Sequence, residues 1–148
     1  MDTKKLSHRK HLTLVKDYTR SAVAANLLYV TDKEGGINRI KKGKGFAYLL
    51  NNTPLKNKEE INRIRKLAIP PAWTKVWICT KDNGHIQATG FDTRERKQYR
   101  YHPFWNHLRN ETKFHKLLEF GEKLSGLRLQ VEKDLSIAKL NEKKWLQQ

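Results

Sequence analysis

Near the middle of this chain an Asn-Gly pair separates two strand-like runs, and this restricts the fold more than any other feature. The runs are Trp73 or Val76 to Thr80 and His85 to Gly90, joined by Lys81-Asp-Asn-Gly84. Asn-Gly supplies the positive φ values of a tight hairpin, so an antiparallel pair is expected here. After a polar turn from Phe91 to Glu95, Arg96 to Tyr101 reads as another strand. Upstream, Ile37 to Lys41 alternates apolar and polar residues, Lys42-Gly-Lys-Gly45 interrupts the alternation, and Phe46 to Leu50 resumes it. That pattern reads as two short strands about a glycine-rich turn.

Helical signals lie on either side of these strands. Residues 1–12 are polar and basic and read as a loose arm, and Tyr18 to Leu28 is helix-compatible. Asn57 can cap a helix, with Glu60 completing a capping box. Ile61, Ile64, Leu67 and Ala68 then recur at helical spacing until Pro70-Pro71 stops the run. From Pro103 onward the β signal fades. Pro103 suits a first helical turn, and Phe104, Trp105, Leu108, Phe114, Leu117 and Leu118 form an apolar stripe. Gly121 or Ser125-Gly126 is expected to break it before a further helix through Leu127, Val131 and Leu135. Leu140 to Gln148 has neither cap nor breaker, so the chain reads as cut within a helix. The expectation is an α+β fold: a small antiparallel β-sheet of about five strands with one or two helices, followed by a helical segment.

Charge narrows the partners. Lys and Arg number 31 against 15 Asp and Glu in 148 residues, a formal net charge of +16. Such an excess concerns partners rather than fold, and it favours nucleic acid. No apolar run is long enough for a membrane-spanning helix, and no basic amphipathic helix with a broad apolar face supports membrane binding. Cys79 is the one cysteine, so no intrachain disulfide can form. Together with the lack of a secretory signal, this points to a cytoplasmic, nucleoid-associated protein.

The strand Arg96-Lys-Gln-Tyr-Arg-Tyr101 is the leading candidate contact. Alternation puts Lys97, Tyr99 and Tyr101 on one face and Arg96, Gln98 and Arg100 on the other. Arg and Gln can read base edges, and a Tyr hydroxyl can bond a phosphate or a base. An ordinary exposed strand whose tyrosines half-cover the core is the competing reading. A second basic cluster, Arg39, Lys41, Lys42 and Lys44, favours contact with DNA. Its Lys42-Gly-Lys-Gly45 lacks phosphate-loop spacing, so a phosphate-touching turn is expected rather than a nucleotide site. The six histidines form no metal-binding pattern. His85 reads as a turn or groove residue, and Trp73, Trp77 and Trp105 as core or domain-seam packing. No catalytic set is legible, so no catalytic, metal or cofactor residue is assigned.

Several segments resemble the amino-terminal region of the type IB DNA topoisomerases, in their bacterial and poxvirus-like branch. They are Leu28-Tyr-Val-Thr-Asp32, Gly36-Ile-Asn-Arg39, Gly43-Lys-Gly-Phe-Ala-Tyr48, Ile64 to Ile78 with Leu67-Ala-Ile-Pro-Pro-Ala-Trp73 at its centre, Gly84 to Gly90, and Arg96 to Trp105. The stretch Lys113 to Leu124 is also similar. The resemblance implies a clamp that wraps duplex DNA between a small β-rich domain and a larger helical catalytic domain. It further implies relaxation of supercoils through a transient 3′-phosphotyrosyl single-strand break, needing neither metal nor ATP. In that picture Gln98, Tyr99 and Tyr101 match the strand that enters the major groove.

The family's catalytic arginines, lysine, histidine or asparagine, and tyrosine lie in the catalytic domain, and Tyr18, Tyr29, Tyr48, Tyr99 and Tyr101 match no nucleophile context. The implied organisation is a DNA-binding domain over residues 1–102 and the helical start of a truncated catalytic domain over 103–148. The implied partners are duplex DNA and the missing carboxy-terminal catalytic domain. The chain alone is expected to bind DNA without relaxing it. The alternative is a free-standing basic nucleic-acid-binding module, for duplex DNA or RNA, with no enzymatic activity.

Overall fold

The computed structural model describes residues 6–145. It is α+β, with a six-stranded antiparallel sheet ordered β3-β2-β1-β4-β5-β6. The strands are β1 (Ile37–Lys42), β2 (Gly45–Leu50), β3 (Thr53–Pro54), β4 (Thr74–Ile78), β5 (Ile86–Phe91) and β6 (Lys97–Tyr101). The helices are α1 (His8–Leu14), α2 (Tyr18–Ala24), α3 (Lys58–Lys66) and α4 (Pro103–Trp145).

The sheet has one strand more than the sequence suggests. Asn51 and Asn52 both take positive φ, 48° and 62°, which turns the chain tightly back after β2. Thr53 and Pro54 then pair with Leu50 and Leu49. Pro54 is tolerated because β3 is the sheet edge, where the missing N–H costs no ladder bond. Between β1 and β2 the turn is Gly43-Lys44, with Gly43 at φ 56°.

β4 and β5 pair as expected, but Asn83-Gly84 makes no tight hairpin. Neither residue takes a positive φ, and the connection runs from 79 to 85. Gly84 is needed for close approach instead, since a Cβ there would lie 2.7 Å from Cys79 Sγ. This lets Gly84 bridge in parallel to Leu28, with Leu28 N–H bonded to Asn83 O and His85 N–H to Leu28 O. The buried Gln87 amide then ties the connection down by donating to the carbonyls of Lys81, Asp82 and Gly84.

α3 covers one face of the sheet. Ile64 packs with Ile37, Val76, Ile78 and Ala88 in a buried cluster. Asn57 caps it by accepting from Glu59 N–H and Glu60 N–H. The capping box does not close, because the Glu60 carboxylate takes the Arg63 guanidinium. α3 ends before Pro70-Pro71, and Ala68, at φ 48° and exposed, lies past its end rather than on its apolar face.

The expected basic arm is corrected in part. Residues 1–5 lie outside the described residues, but His8–Leu14 is helical. His11 is buried, with Nδ1 3.1 Å from Thr112 Oγ1 and its ring stacked on His115 at 4.4 Å. α2 is shorter than the 18–28 run and is capped by Asp17, whose carboxylate accepts from Arg20 N–H. Helices of seven residues are marginal alone. Here Leu14, Ala22, Ala25 and Leu27 form a second core with Trp105 and Leu108 of α4.

α4 is one helix without the expected break at Gly121 or Ser125-Gly126. His102 Nδ1 accepts from Phe104 N–H at its start, beside Pro103. Each helical glycine costs only about 1 kcal/mol. The Lys123–Glu119 ion pair and the Gln130–Asp134 hydrogen bond support that stretch at i,i+4 spacing. Beyond the first turns the stripe is open to solvent at Phe114, Leu117, Leu118, Leu127, Val131 and Leu135. The reading of the chain as cut rests on its last residues, and 146–148 lie outside the described residues.

Candidate nucleic-acid interface

Strand register decides which side chains the sheet presents opposite α3. Asn38, Trp77, Thr89 and Tyr99 lie in one row across β1, β4, β5 and β6. Trp77 is covered by the loop before β1, donating from Nε1 to Glu34 O at 3.0 Å. Tyr99 is left 43% exposed and Tyr101 37% exposed. Their rings stack with centroids 5.7 Å apart and planes 12° apart. Two aromatic planes therefore stand side by side on an open face. Burial pushes the Tyr101 phenol up from its ordinary value, with neighbouring Tyr99 adding to the shift. Its hydroxyl thus stays a neutral donor.

The cations around this pair are held in place. Lys97 Nζ lies 2.5 Å from Asp32 Oδ2, and Asp32 also accepts from the Thr89 hydroxyl. Burial alone would raise the Asp32 pKa, but the Lys97 and Thr89 hydrogen bonds outweigh it and hold the carboxyl low. Arg96 pairs with Asp92 at 2.8 Å, and Gln98 Nε2 donates to Asp92 Oδ2 at 2.9 Å. The backbone N–H of Arg96, then its side chain, the N–H of Arg94 and Gln98 depress Asp92 to about 2. Arg100 points to the α3 side and donates to Ala68 O at 2.8 Å. Alternation thus separates the residues as expected, with Lys97, Tyr99 and Tyr101 on the open face.

The second cluster divides. Lys41, Lys42 and Lys44 are exposed and make no ion pair among the described residues. β1 pairs with β4 only at Ile37 and Asn38, so the β1–β2 tip extends roughly 15 Å past that pairing. Arg39 is turned into the fold. Its guanidinium donates to the carbonyls of Ile69, Pro70 and Trp73 at 3.2, 3.0 and 2.7 Å. Its Cζ lies 4.2 Å above the Phe46 ring. Arg39 therefore staples the Pro70-Pro71 loop to β1, a role the charge pattern did not disclose.

His85 is buried, and its Nδ1 accepts from Val30 N–H, which puts the proton of the neutral ring on Nε2. Burial lowers its pKa. Trp77 and Trp105 are buried, and Trp73 packs against the α3-side core. Among the described residues no group of three or more His, Cys, Asp or Glu could hold a metal ion. No described helix is long and apolar enough to cross a membrane. Sequence reading missed Asp32 and Asp92, which set the orientation of Lys97, Arg96 and Gln98. For Asp92 the signal was present in Asp92-Thr-Arg-Glu-Arg96, where a short carboxylate can bond N–H groups two and four residues on.

Residues 45–92, from β2 through β5, match the family model for the bacterial DNA topoisomerase IB N-terminal domain. Over 101 residues the chain is 41% identical to the DNA topoisomerase 1B of Acanthamoeba polyphaga mimivirus, a match covering 67% of this chain and 30% of that protein. The chain thus spans about a third of the length of this curated relative. No solved structure gives a significant match. These matches show that the chain carries the N-terminal region of a type IB DNA topoisomerase.

Proposed function

We propose that this chain grips duplex DNA as the β-rich half of a topoisomerase clamp. The observation that carries the reading is the open face holding the stacked, exposed Tyr99 and Tyr101, beside ordered cations in a chain of net charge +16. In this account Tyr99 and Tyr101 enter a groove and present hydroxyls and ring edges to bases and phosphates. Lys97 shares their face, and Arg96, Gln98 and Arg100 contact the DNA from the other side of the strand edge. Arg96 is itself largely exposed, so exchanging its Asp92 partner for a phosphate costs little. Lys41, Lys42 and Lys44 on the hairpin tip, which make no ion pair among the described residues, reach the backbone. Arg39 supports that hairpin from within.

Strand breakage and resealing belong, in this reading, to the catalytic domain of the same protein. Residues 1–102 bind DNA, and 103–148 belong to the start of the catalytic part. The chain alone binds duplex DNA, at the cytoplasmic nucleoid, without metal or cofactor and without relaxing supercoils. The test is a binding titration of the chain and its Tyr99→Ala/Tyr101→Ala variant against a short duplex, with a plasmid-relaxation assay alongside. The double variant should lose about tenfold or more in affinity while keeping its thermal transition. Loss of the transition would make the rings core residues, and relaxation by the chain alone would contradict the division of labour.

A further inference from the structure

Next to the Tyr99–Tyr101 face lies a concavity of about 470 Å³. Its walls come from three parts of the chain: Tyr18 of α2, Tyr29 and His85 from the two segments bridged at Leu28, and Tyr101, Trp105 and Arg109 across the β6–α4 junction. Tyr29 stacks on His85 with centroids 4.5 Å apart and planes 12° apart. His85 meets Trp105 edge-on at 4.6 Å, and Tyr101 lies nearly parallel to Trp105 at 6.2 Å. Tyr18 and Tyr29 nevertheless remain 52% and 45% exposed. Aromatic surface is thus left facing a hollow instead of closing a core.

Arg109 supplies the charge. Its Cζ sits 5.3 Å from the Tyr18 centroid and 5.9 Å from that of Trp105. Among the described residues it pairs with no carboxylate, and its one hydrogen bond, to Val15 O, is long at 3.5 Å. A half-buried guanidinium among aromatic rings, with donors to spare, suits an anion attached to a flat ring system. The volume falls within the roughly 300–1,000 Å³ of small-ligand pockets. Tyr101 is common to both sites, so a strand lying along Tyr99 can continue into the hollow.

We propose that this cup takes an unpaired nucleotide, its base stacked against Tyr18 or Tyr29 and its phosphate on Arg109, where a bound duplex frays or ends in a single-stranded flank. Stacking platforms joined to a cation are the general solution for single-stranded nucleic acid. The proposal rests on the duplex-binding reading, and Tyr99, Tyr101 and the lysine tip are not needed to test it.

The experiment compares affinity for a blunt duplex, for the same duplex with a short thymidine overhang, and for a free oligothymidine. It uses the unaltered chain and the variants Tyr18→Ala, Tyr29→Ala and Arg109→Gln. The overhang should tighten binding roughly tenfold. Each variant should lose most of that gain while holding blunt-duplex affinity within about twofold. Arg109→Gln could loosen α4, so the exposed Tyr18 and Tyr29 provide variants that fold independently of it. No gain from the overhang, or a gain that survives in Tyr18→Ala and Tyr29→Ala, overturns the proposal. If the blunt duplex is not bound at all, the duplex reading fails, and free oligothymidine decides the cup alone. Oligothymidine binding lost in Tyr29→Ala upholds the cup, and absent or unaltered binding rejects it.

Discussion

Replacing Arg39 by Met should unfold this protein more readily without stripping it of DNA affinity. The guanidinium donates to the carbonyls of Ile69, Pro70 and Trp73 and lies over Phe46. Bonds from a charged donor are worth about 1.5–3 kcal/mol each when fully buried. This site is only half-buried, so water can take over part of each bond, and about 1 kcal/mol apiece is a fair magnitude. The contact with Phe46 adds roughly 0.5 kcal/mol or more. Methionine keeps much of the side-chain stem, so the expected loss is about 3 kcal/mol, or roughly 6–12 °C in a chain of this size. Lysine keeps the charge but not the planar fork, so Arg39→Lys should be nearly as unstable. Urea unfolding gives the stability, and fluorescence anisotropy at low temperature, where the variant stays folded, gives duplex affinity. That affinity should change by less than about threefold. A variant of unaltered stability with tenfold weaker duplex binding would refute the reasoning and return Arg39 to the groove.

Three further expectations follow from the same geometry. Changing Lys41, Lys42 and Lys44 together to Gln should leave the thermal transition in place and lower affinity about equally for all duplex sequences. It should also flatten the slope of log K against log salt by up to about three, whereas a loss confined to one sequence would contradict a phosphate role. Gln87→Leu should destabilise the protein by about 2–4 kcal/mol in urea unfolding, because the carbonyls of Lys81, Asp82 and Gly84 lose their donor and Arg63 loses an acceptor. Unaltered stability would mean that water substitutes freely there. Acid should also destabilise the fold. Burial lowers the pKa of His11, His85 and His102 below the ordinary 6.5, so the unfolded chain binds more protons as pH falls through that value. The stability these rings provide is complete above their unfolded pKa and is lost as pH drops to their folded values. The melting temperature should therefore fall between about pH 7.5 and 5.5 and still do so in about 0.5 M salt, where surface repulsion is screened. A flat profile would show that the rings are not held neutral.

Strand positions were readable because alternation and turn residues are local properties. Ile37 to Leu50 folds back at Gly43-Lys44 as its pattern suggests, and Lys97, Tyr99 and Tyr101 share a face as strand geometry requires. What escaped depended on distant partners. Thr53-Pro54 is too short to read as a strand until Leu49 and Leu50 lie opposite. His8–Leu14 looks like a polar arm because its burial is supplied by α4, through Thr112 and His115. Gly84 suggests a turn, yet it serves close packing against Cys79. Gly121 and Gly126 suggest a break, yet on an exposed helix with no packed neighbour their cost is too small to enforce one. In the candidate site the cations were visible one by one. Which of them are free was not, since Arg39 is claimed by carbonyls thirty or more residues away and Lys97 by Asp32.

The most direct test of the account is duplex-DNA affinity of this chain across a salt series, with single-stranded DNA and RNA of the same length as competitors. A clamp half making about six to ten phosphate contacts should prefer the duplex and lose on the order of a thousandfold in affinity between about 50 and 200 mM salt. Preference for RNA or single strands over the duplex, or an affinity indifferent to salt, would contradict it.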